Sequence, residues 1–186
     1  MYINVLALSG SQRERSWSSA LLRAAQAVAP PGMRIRLHDG HKQWPLFNPD
    51  LDGTPPAGVL ALREELGAAD ALLIASPEYA HGVSGTIKNT LDWLVSFPPF
   101  AGKPVAVFNP AYQSHHADEA LKETLRVMSA ELVPAACVRI PVIGSGIDQN
   151  AIAGQPEFHA ALTGALRALA GHVTLARGLG SVPGKQ

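Results

Sequence analysis

The 186-residue chain predicts an α/β fold: a doubly wound, five-stranded parallel sheet in the order 2-1-3-4-5, with helices on both faces. Three observations carry this reading. Residues 3–8, 71–75 and 105–108 are short, near-continuous apolar runs, the pattern of strands buried on both faces. Stretches of helical periodicity separate them, and strict alternation of strand and helix means parallel pairing with right-handed crossovers. No segment repeats, and the length suits one domain with a sizeable core.

Taken in order, residues 3–8 form the first strand and 9–19 a serine-rich loop. A helix follows with Leu21, Leu22, Ala25 and Val28 on one face, ended by Pro30-Pro31-Gly32. Met33, Ile35 and Leu37 alternate with polar residues, which predicts a shorter strand nearer an edge. Residues 40–56, rich in proline and aspartate, are too long for a turn and are expected to cover a site or an interface. Val59, Leu62 and Leu66 mark the next helix, and 71–75 the third strand. After a loop at 76–85, Val83, Ile87, Leu91, Leu94 and Val95 form a helical stripe. Residues 105–108 make the fourth strand and 109–114 its loop. Leu121, Leu125, Met128 and Leu132 define a helix, 136–140 a fifth strand, and Phe158 to Leu169 a closing helix. The domain is expected to span 1–173, with 174–186 as a loose tail.

Fifteen basic and fifteen acidic residues cancel, so no basic excess points to nucleic acid or an anionic membrane as partner. The start lacks the basic region of a signal peptide, and no apolar run is long enough to span a bilayer; a cytoplasmic protein is expected. Cys137 is the single cysteine, which excludes an internal disulfide and reads as a small buried core residue.

In the 2-1-3-4-5 order, the loops after strands one, three and four crowd one end of the sheet. The first suits a phosphate: its serine hydroxyls, the amides opening the next helix and Arg13 all favour an anion. The glycines of a dinucleotide fingerprint or a P-loop are not in it, which leaves a terminal monophosphate. Serines merely capping a helix are the competing reading. The third-strand loop, Ser76-Pro77-Glu78-Tyr79-Ala80-His81-Gly82-Val83-Ser84-Gly85, suits a flat heterocycle. Pro77 stops the strand. Backbone amides of 78–82 could meet ring acceptors, Tyr79 could pack on the ring, and Gly82 is expected to allow both the turn and the close approach. His81 reads as solvated or a partner contact, and Glu78 as one half of an ion pair with Lys88 or another cation. Ser84 lies in no nucleophile elbow. His115 and His116, beside Asp118 and Glu119, lack zinc-type spacing and read as the start of a helix.

Gly10-Ser11-x-Arg13-x-x-Ser16-x-Ser18, and the 76–85 loop running into Ile87-Lys88-Asn89-Thr90-Leu91-Asp92-Trp93, resemble the NADPH-dependent FMN reductase family, flavodoxin-like enzymes that include quinone and chromate reductases. The resemblance covers residue 3 to about residue 171. It implies FMN held by three loops. Ser11, Arg13, Ser16, Trp17 and Ser18 would lie at the phosphate. Pro77, Glu78, Tyr79, Ala80 and Gly82 would lie along the isoalloxazine, with Asn109 from the third loop. It also implies NADPH or NADH as reductant and a homodimer or homotetramer. The chain departs from the family where many members have Asn, at Ala80 and Ser18, and its 109–116 loop is not glycine-rich.

The expected function is an FMN-dependent NAD(P)H oxidoreductase passing hydride to flavin N5 and on to a small-molecule acceptor: a quinone, azo dye, metal oxyanion or free flavin. No residue is assigned as catalytic and none as a metal ligand. The alternatives are a flavodoxin-like electron carrier, disfavoured by the neutral charge, and a flavin-free regulatory or binding protein of the same fold. Trp93 on the helical stripe, with Trp44, Leu46 and Phe47 on the long connection, suggests apolar surface left for an oligomer interface.

Overall fold

The computed structural model describes residues 2–38, 40, 44–142 and 148–179. Its central sheet is parallel, in the order β2(Met33–His38), β1(Ile3–Ser9), β3(Ala71–Ala75), β6(Pro104–Asn109), then β7(Glu131–Leu132) and β8(Val138–Arg139) on the far edge. A two-residue antiparallel pair, β4(Glu78–Tyr79) and β5(Gly82–Val83), stands apart from it. This is the expected 2-1-3-4-5 winding, with the fifth position shared by two short pieces.

The apolar runs follow from two cores, one per face. Along β1, Val5 and Ala7 face a core shared with α1(Trp17–Ala27) and α6(Pro156–Leu179). Leu6 and Leu8 face the other, shared with α2(Ala57–Ala68), α3(Gly85–Asp92) and α4(His116–Val127). Side chains alternate sides along a strand, so covering both faces requires every position to be apolar.

Several boundaries differ from the sequence reading. α4 ends at Val127, and Leu132, expected on that helix, lies in β7. The fifth strand is broken by a 3-10 turn at Pro134–Ala136, because Pro134 has no amide to donate to a ladder. β7 therefore pairs with the start of β6 and β8 with its end. A short helix, α5(Gln149–Gly154), capped by Asp148, precedes α6 and was too brief to show a period. α6 continues through Leu179, so residues 174–179 are helix rather than tail. Arg177 on that extension pairs with Asp70 and donates to the Tyr2 carbonyl. The remainder of the expected tail lies outside the described residues. Trp93 is fully buried and supplies no surface for an interface. Cys137 is half-buried against the α2–α4 core, where it accepts the Val107 amide at 3.4 Å.

One polar cluster fixes the end of the sheet where the loops meet. The Ser84 hydroxyl donates to the Gly10 carbonyl at 2.6 Å. It accepts from the Ser76 hydroxyl at 3.2 Å and from the Ile87 amide at 3.3 Å, which makes it the N-cap of α3. The Gly10 amide donates to Ala75 at 2.8 Å. A Cβ on Gly10 would overlap the Ser76 side chain. Ser84→Ala should cost about 1–3 kcal/mol, the loss of a buried hydrogen bond and a cap together. Gly10→Ala should cost more, because Ser76 must move. Urea denaturation of the three proteins gives the order, and a Gly10→Ala protein as stable as wild type would show that the two loops are not tightly apposed.

Candidate functional site

The first loop presents main-chain donors more than hydroxyls. Ser16 caps α1 by accepting the Ser19 amide at 3.3 Å, and the first intrahelical bond runs from Ala20 to the Ser16 carbonyl at 2.8 Å. The amides of Trp17 and Ser18 precede that bond, so they belong to the unsatisfied donors of a helix start. Ser9 and Ser19 share a hydroxyl hydrogen bond, and Ser11 accepts the Arg13 amide at 3.3 Å. Ser11, Ser16 and Ser18 are buried, while Arg13 is exposed. The Trp17 ring packs onto the core beneath α1, which leaves its amide as the group it offers a ligand. The capping reading of Ser16 is therefore correct, and it is compatible with an anion at the same helix end. Amides, helix dipole and an exposed guanidinium form a donor set that fits a phosphate monoester.

The second loop is a hairpin. Tyr79 pairs with Gly82, and Ala80 and His81 form the turn with φ of 49° and 60°. Two successive left-handed residues are the geometry of a tight I′ hairpin, which ordinarily uses Asn-Gly. An alanine there stores on the order of 1 kcal/mol of backbone strain. Gly82 does not have a positive φ, and a Cβ on it would sit 3.4 Å from the Tyr79 carbonyl, an ordinary contact. The expectation that Gly82 makes the turn is corrected: positions 80 and 81 make it. Asn tolerates this conformation better than Ala.

Glu78 holds the hairpin down. One carboxylate oxygen accepts the Ala117 amide at the start of α4 at 2.9 Å, and the other meets His81 Nδ1 at 3.1 Å. His81 lies edge-on to His116, with ring centroids 4.5 Å apart. Lys88 pairs with Asp92 at 2.6 Å rather than with Glu78, so the expected cation partner is replaced by His81. The Ala117 amide, and to a lesser degree His81, hold the Glu78 carboxyl below the usual glutamate range against the opposing effect of burial. In the third loop, the Asn109 side chain serves its own backbone. It donates to the Ser114 carbonyl at 2.7 Å and accepts the Ala111 amide at 3.0 Å.

Between the first loop, the hairpin and α3 opens a cavity of about 390 Å³, within the size range of small-molecule sites. Gln12 and Arg13 line one side, Tyr79 another, and Thr86 and Asn89 of α3 the floor. Trp44 and Leu46 complete it from the long connection, as a segment covering a site should. Of the sequence-predicted residues, Arg13 and Tyr79 reach this cavity. Pro77, Glu78, Ala80 and Gly82 belong to the hairpin segment that carries Tyr79 but do not line the cavity, nor do Ser11, Ser16, Trp17, Ser18 or Asn109. Thr86 and Asn89 were missed as site residues, although both follow the 76–85 loop within one turn of helix.

Fold and site together define a flavodoxin-like α/β protein with a helix N-terminus and a cavity at the carboxyl ends of its first and third strands. The sequence profile of the NADPH-dependent FMN reductases matches residues 3–143, and the chain belongs to that family. It is 43% identical over 130 residues to an NAD(P)H-dependent FMN reductase of Pseudomonas aeruginosa, covering 66% of this chain and 69% of that one. It is 36% identical over 109 residues to a quinone reductase of Escherichia coli K12, covering 56% of this chain and 58% of the relative, so the match spans little more than half of that protein. Among solved structures, a flavoenzyme NAD(P)H:(acceptor) oxidoreductase of Paracoccus denitrificans superposes with a TM-score of 0.64 at 24% identity, over 92% of this chain and 93% of that one, and supports the fold. No helix among the described residues is long and apolar enough to cross a membrane.

Two outcomes are expected. Glu78→Ala should cost about 1 kcal/mol, the loss of a helix cap, with Gln recovering the uncharged part. Because the native carboxyl is held low, its stabilisation is present above the unfolded glutamate pKa and is lost as pH falls through the lower native value. Glu78→Gln should therefore flatten the acid limb of a stability–pH curve, and an unaltered limb would exclude the carboxylate's role. Ala80→Asn should raise stability by up to about 1 kcal/mol through relief of left-handed strain, read as an increased melting temperature.

Proposed function

We propose that this chain binds FMN at the carboxyl end of its sheet and uses NAD(P)H to reduce a small-molecule acceptor, with a quinone as the acceptor class its relatives favour. Family membership and the donor set of the first loop support this together; the single most telling observation is Arg13, exposed and lining the cavity, on the loop that runs into the N-terminus of α1. The flavin, when bound, supplies hydride and electron chemistry, so the protein's tasks are binding, orientation and shielding. Arg13 and the amides of Trp17 and Ser18 would hold the phosphate, with Ser11 and Ser16 fixing the loop that presents them. The hairpin, from Pro77 through Gly82, would turn main-chain groups toward the ring, and Tyr79, with a half-exposed ring, would border it. Asn109 would act through the shape of its loop. Glu78 is committed to Ala117 and His81 and is not needed as an acid or base.

The exposed side chains of Leu51, Leu60 and Val95 support a closed homodimer or homotetramer as the working assembly. An electron-carrier role is less well supported, because the net charge is zero and carriers steer partners with strong fields.

Arg13→Ala should weaken FMN binding by about 1.5–3 kcal/mol, the size of a hydrogen bond to a charged group. Riboflavin, which carries no phosphate, should lose far less. Fluorescence quenching titrations with both ligands read the difference. Equal losses would make Arg13 structural, and a protein that takes up neither ligand would defeat the proposed function itself.

A further inference from the structure

The long connection reaches the cavity as a strap, and α3 holds it there. Asn89 uses both arms of its amide on the strap's main chain: Oδ1 accepts the Phe47 amide at 2.7 Å and Nδ2 donates to the Pro45 carbonyl at 3.0 Å. The Trp93 indole, one turn on, donates to the same Pro45 carbonyl at 3.0 Å, and the Phe47 ring packs edge-on against it at 5.1 Å. Trp44 lies against Gly58, where a Cβ would overlap the indole. Between these anchored neighbours, Leu46 has no contact of that kind. It lines the cavity and remains 81% exposed, in company with a Tyr79 that lines the same cavity and is 54% exposed. A leucine presented to solvent on a segment so firmly tied is costly to leave bare and is well placed to meet a ligand.

We infer that Asn89 is a positioning residue for substrate selection: it fixes the Pro45–Phe47 main chain so that Leu46 and Tyr79 form the apolar walls that accept a planar carbonyl compound of the quinone class. The inference rests on the proposed function, since it concerns the acceptor of that reaction. Asn89 acts through the strap, and Leu46 provides the contact. Planar, weakly charged acceptors gain from both walls. A small, highly charged oxidant such as ferricyanide has no apolar surface to place between them.

The test compares Asn89→Ala, Asn89→Asp and Leu46→Ala with wild type as FMN-loaded protein, using a naphthoquinone and ferricyanide as acceptors. Amide exchange of Phe47, followed by NMR without any acceptor, gives a readout independent of turnover. Loss of the Asn89 acceptor should speed Phe47 exchange by about tenfold, the size of one hydrogen bond. Asn89→Asp, which keeps that acceptor, should restore much of the protection. The ratio of naphthoquinone to ferricyanide kcat/KM should fall about tenfold in Asn89→Ala and in Leu46→Ala, the scale on which an apolar pocket discriminates. In Leu46→Ala, Phe47 exchange should stay slow. Unchanged Phe47 exchange in Asn89→Ala, or equal losses with both acceptors, would overturn the inference. A shift in the KM for NADPH in place of the quinone would overturn the assignment of the acceptor class. A wild-type protein that takes up FMN but reduces neither acceptor would overturn the proposed function and the acceptor assignment together, while Phe47 exchange would still decide whether Asn89 holds the strap.

Discussion

The site depends on one hydroxyl. Ser84 Oγ donates to Gly10, accepts from Ser76 and accepts from Ile87, so the loop after β1, the loop after β3 and the start of α3 share a single atom. Its bonding capacity is filled by these partners, which is what a buried hydroxyl requires. Gly10 must be glycine for the loops to come this close. The consequence is that the loop leading into α1 and the hairpin above β3 are held in fixed relation by contacts made within the protein alone, as a preorganised site demands.

The hairpin shows the opposite economy. Its turn runs through two left-handed residues that lack glycine's freedom, and its outer strand pair has only two residues on each side. A pair this short is not stable alone. Glu78 makes up the deficit by tying the hairpin to the N-terminus of α4, and His81 and His116 add a second contact between the same two elements. Local strain at 80 and 81 is thus carried by tertiary contacts made at 78, 81 and 116, a common arrangement where backbone must be offered to a ligand. It also explains how the chain can carry Ala80 in a left-handed turn: the backbone path is enforced from outside the turn.

The parts of this architecture that are legible in the sequence are those written in side-chain period. Runs such as Ala71–Ala75 reveal a strand covered on both faces, and the winding order follows from alternation. The fifth strand was harder, because Pro134 divides it into pieces too short for any pattern, and α5 has six residues. Within the site, the serine-rich loop and the 76–85 loop stand out by composition. The roles inside them do not. Gly82 looks like the turn residue but is not, since φ is a property of the folded chain. Glu78 looks like a partner for Lys88, yet besides His81 its partner is an amide thirty-nine positions away, which no local spacing announces. Asn89 reads as one polar residue on an amphipathic helix, and its hydrogen-bond partners lie on a strap that precedes it by more than forty residues.

Helix α3 emerges as the reference frame for both halves of the site. Its N-cap, Ser84, positions the loops proposed to hold the cofactor. One turn later Asn89, and then Trp93, position the strap proposed to meet the acceptor. The inward side chains of Ile87 and Leu91 lock the helix into the α2–α4 core; the helix ends at Asp92, short of the expected stripe, and Leu94 packs on the same core from the turn that follows. Lys88 and Asp92 pair along the outer face and leave these roles untouched. The loops after β1 and β3 and the strap are therefore measured from the same rigid rod, and their separation is set by helical rise rather than by loop conformation. A change in the strap sequence can then alter the wall without moving the loops. That separation gives one scaffold a route to different acceptors while its cofactor site stays the same.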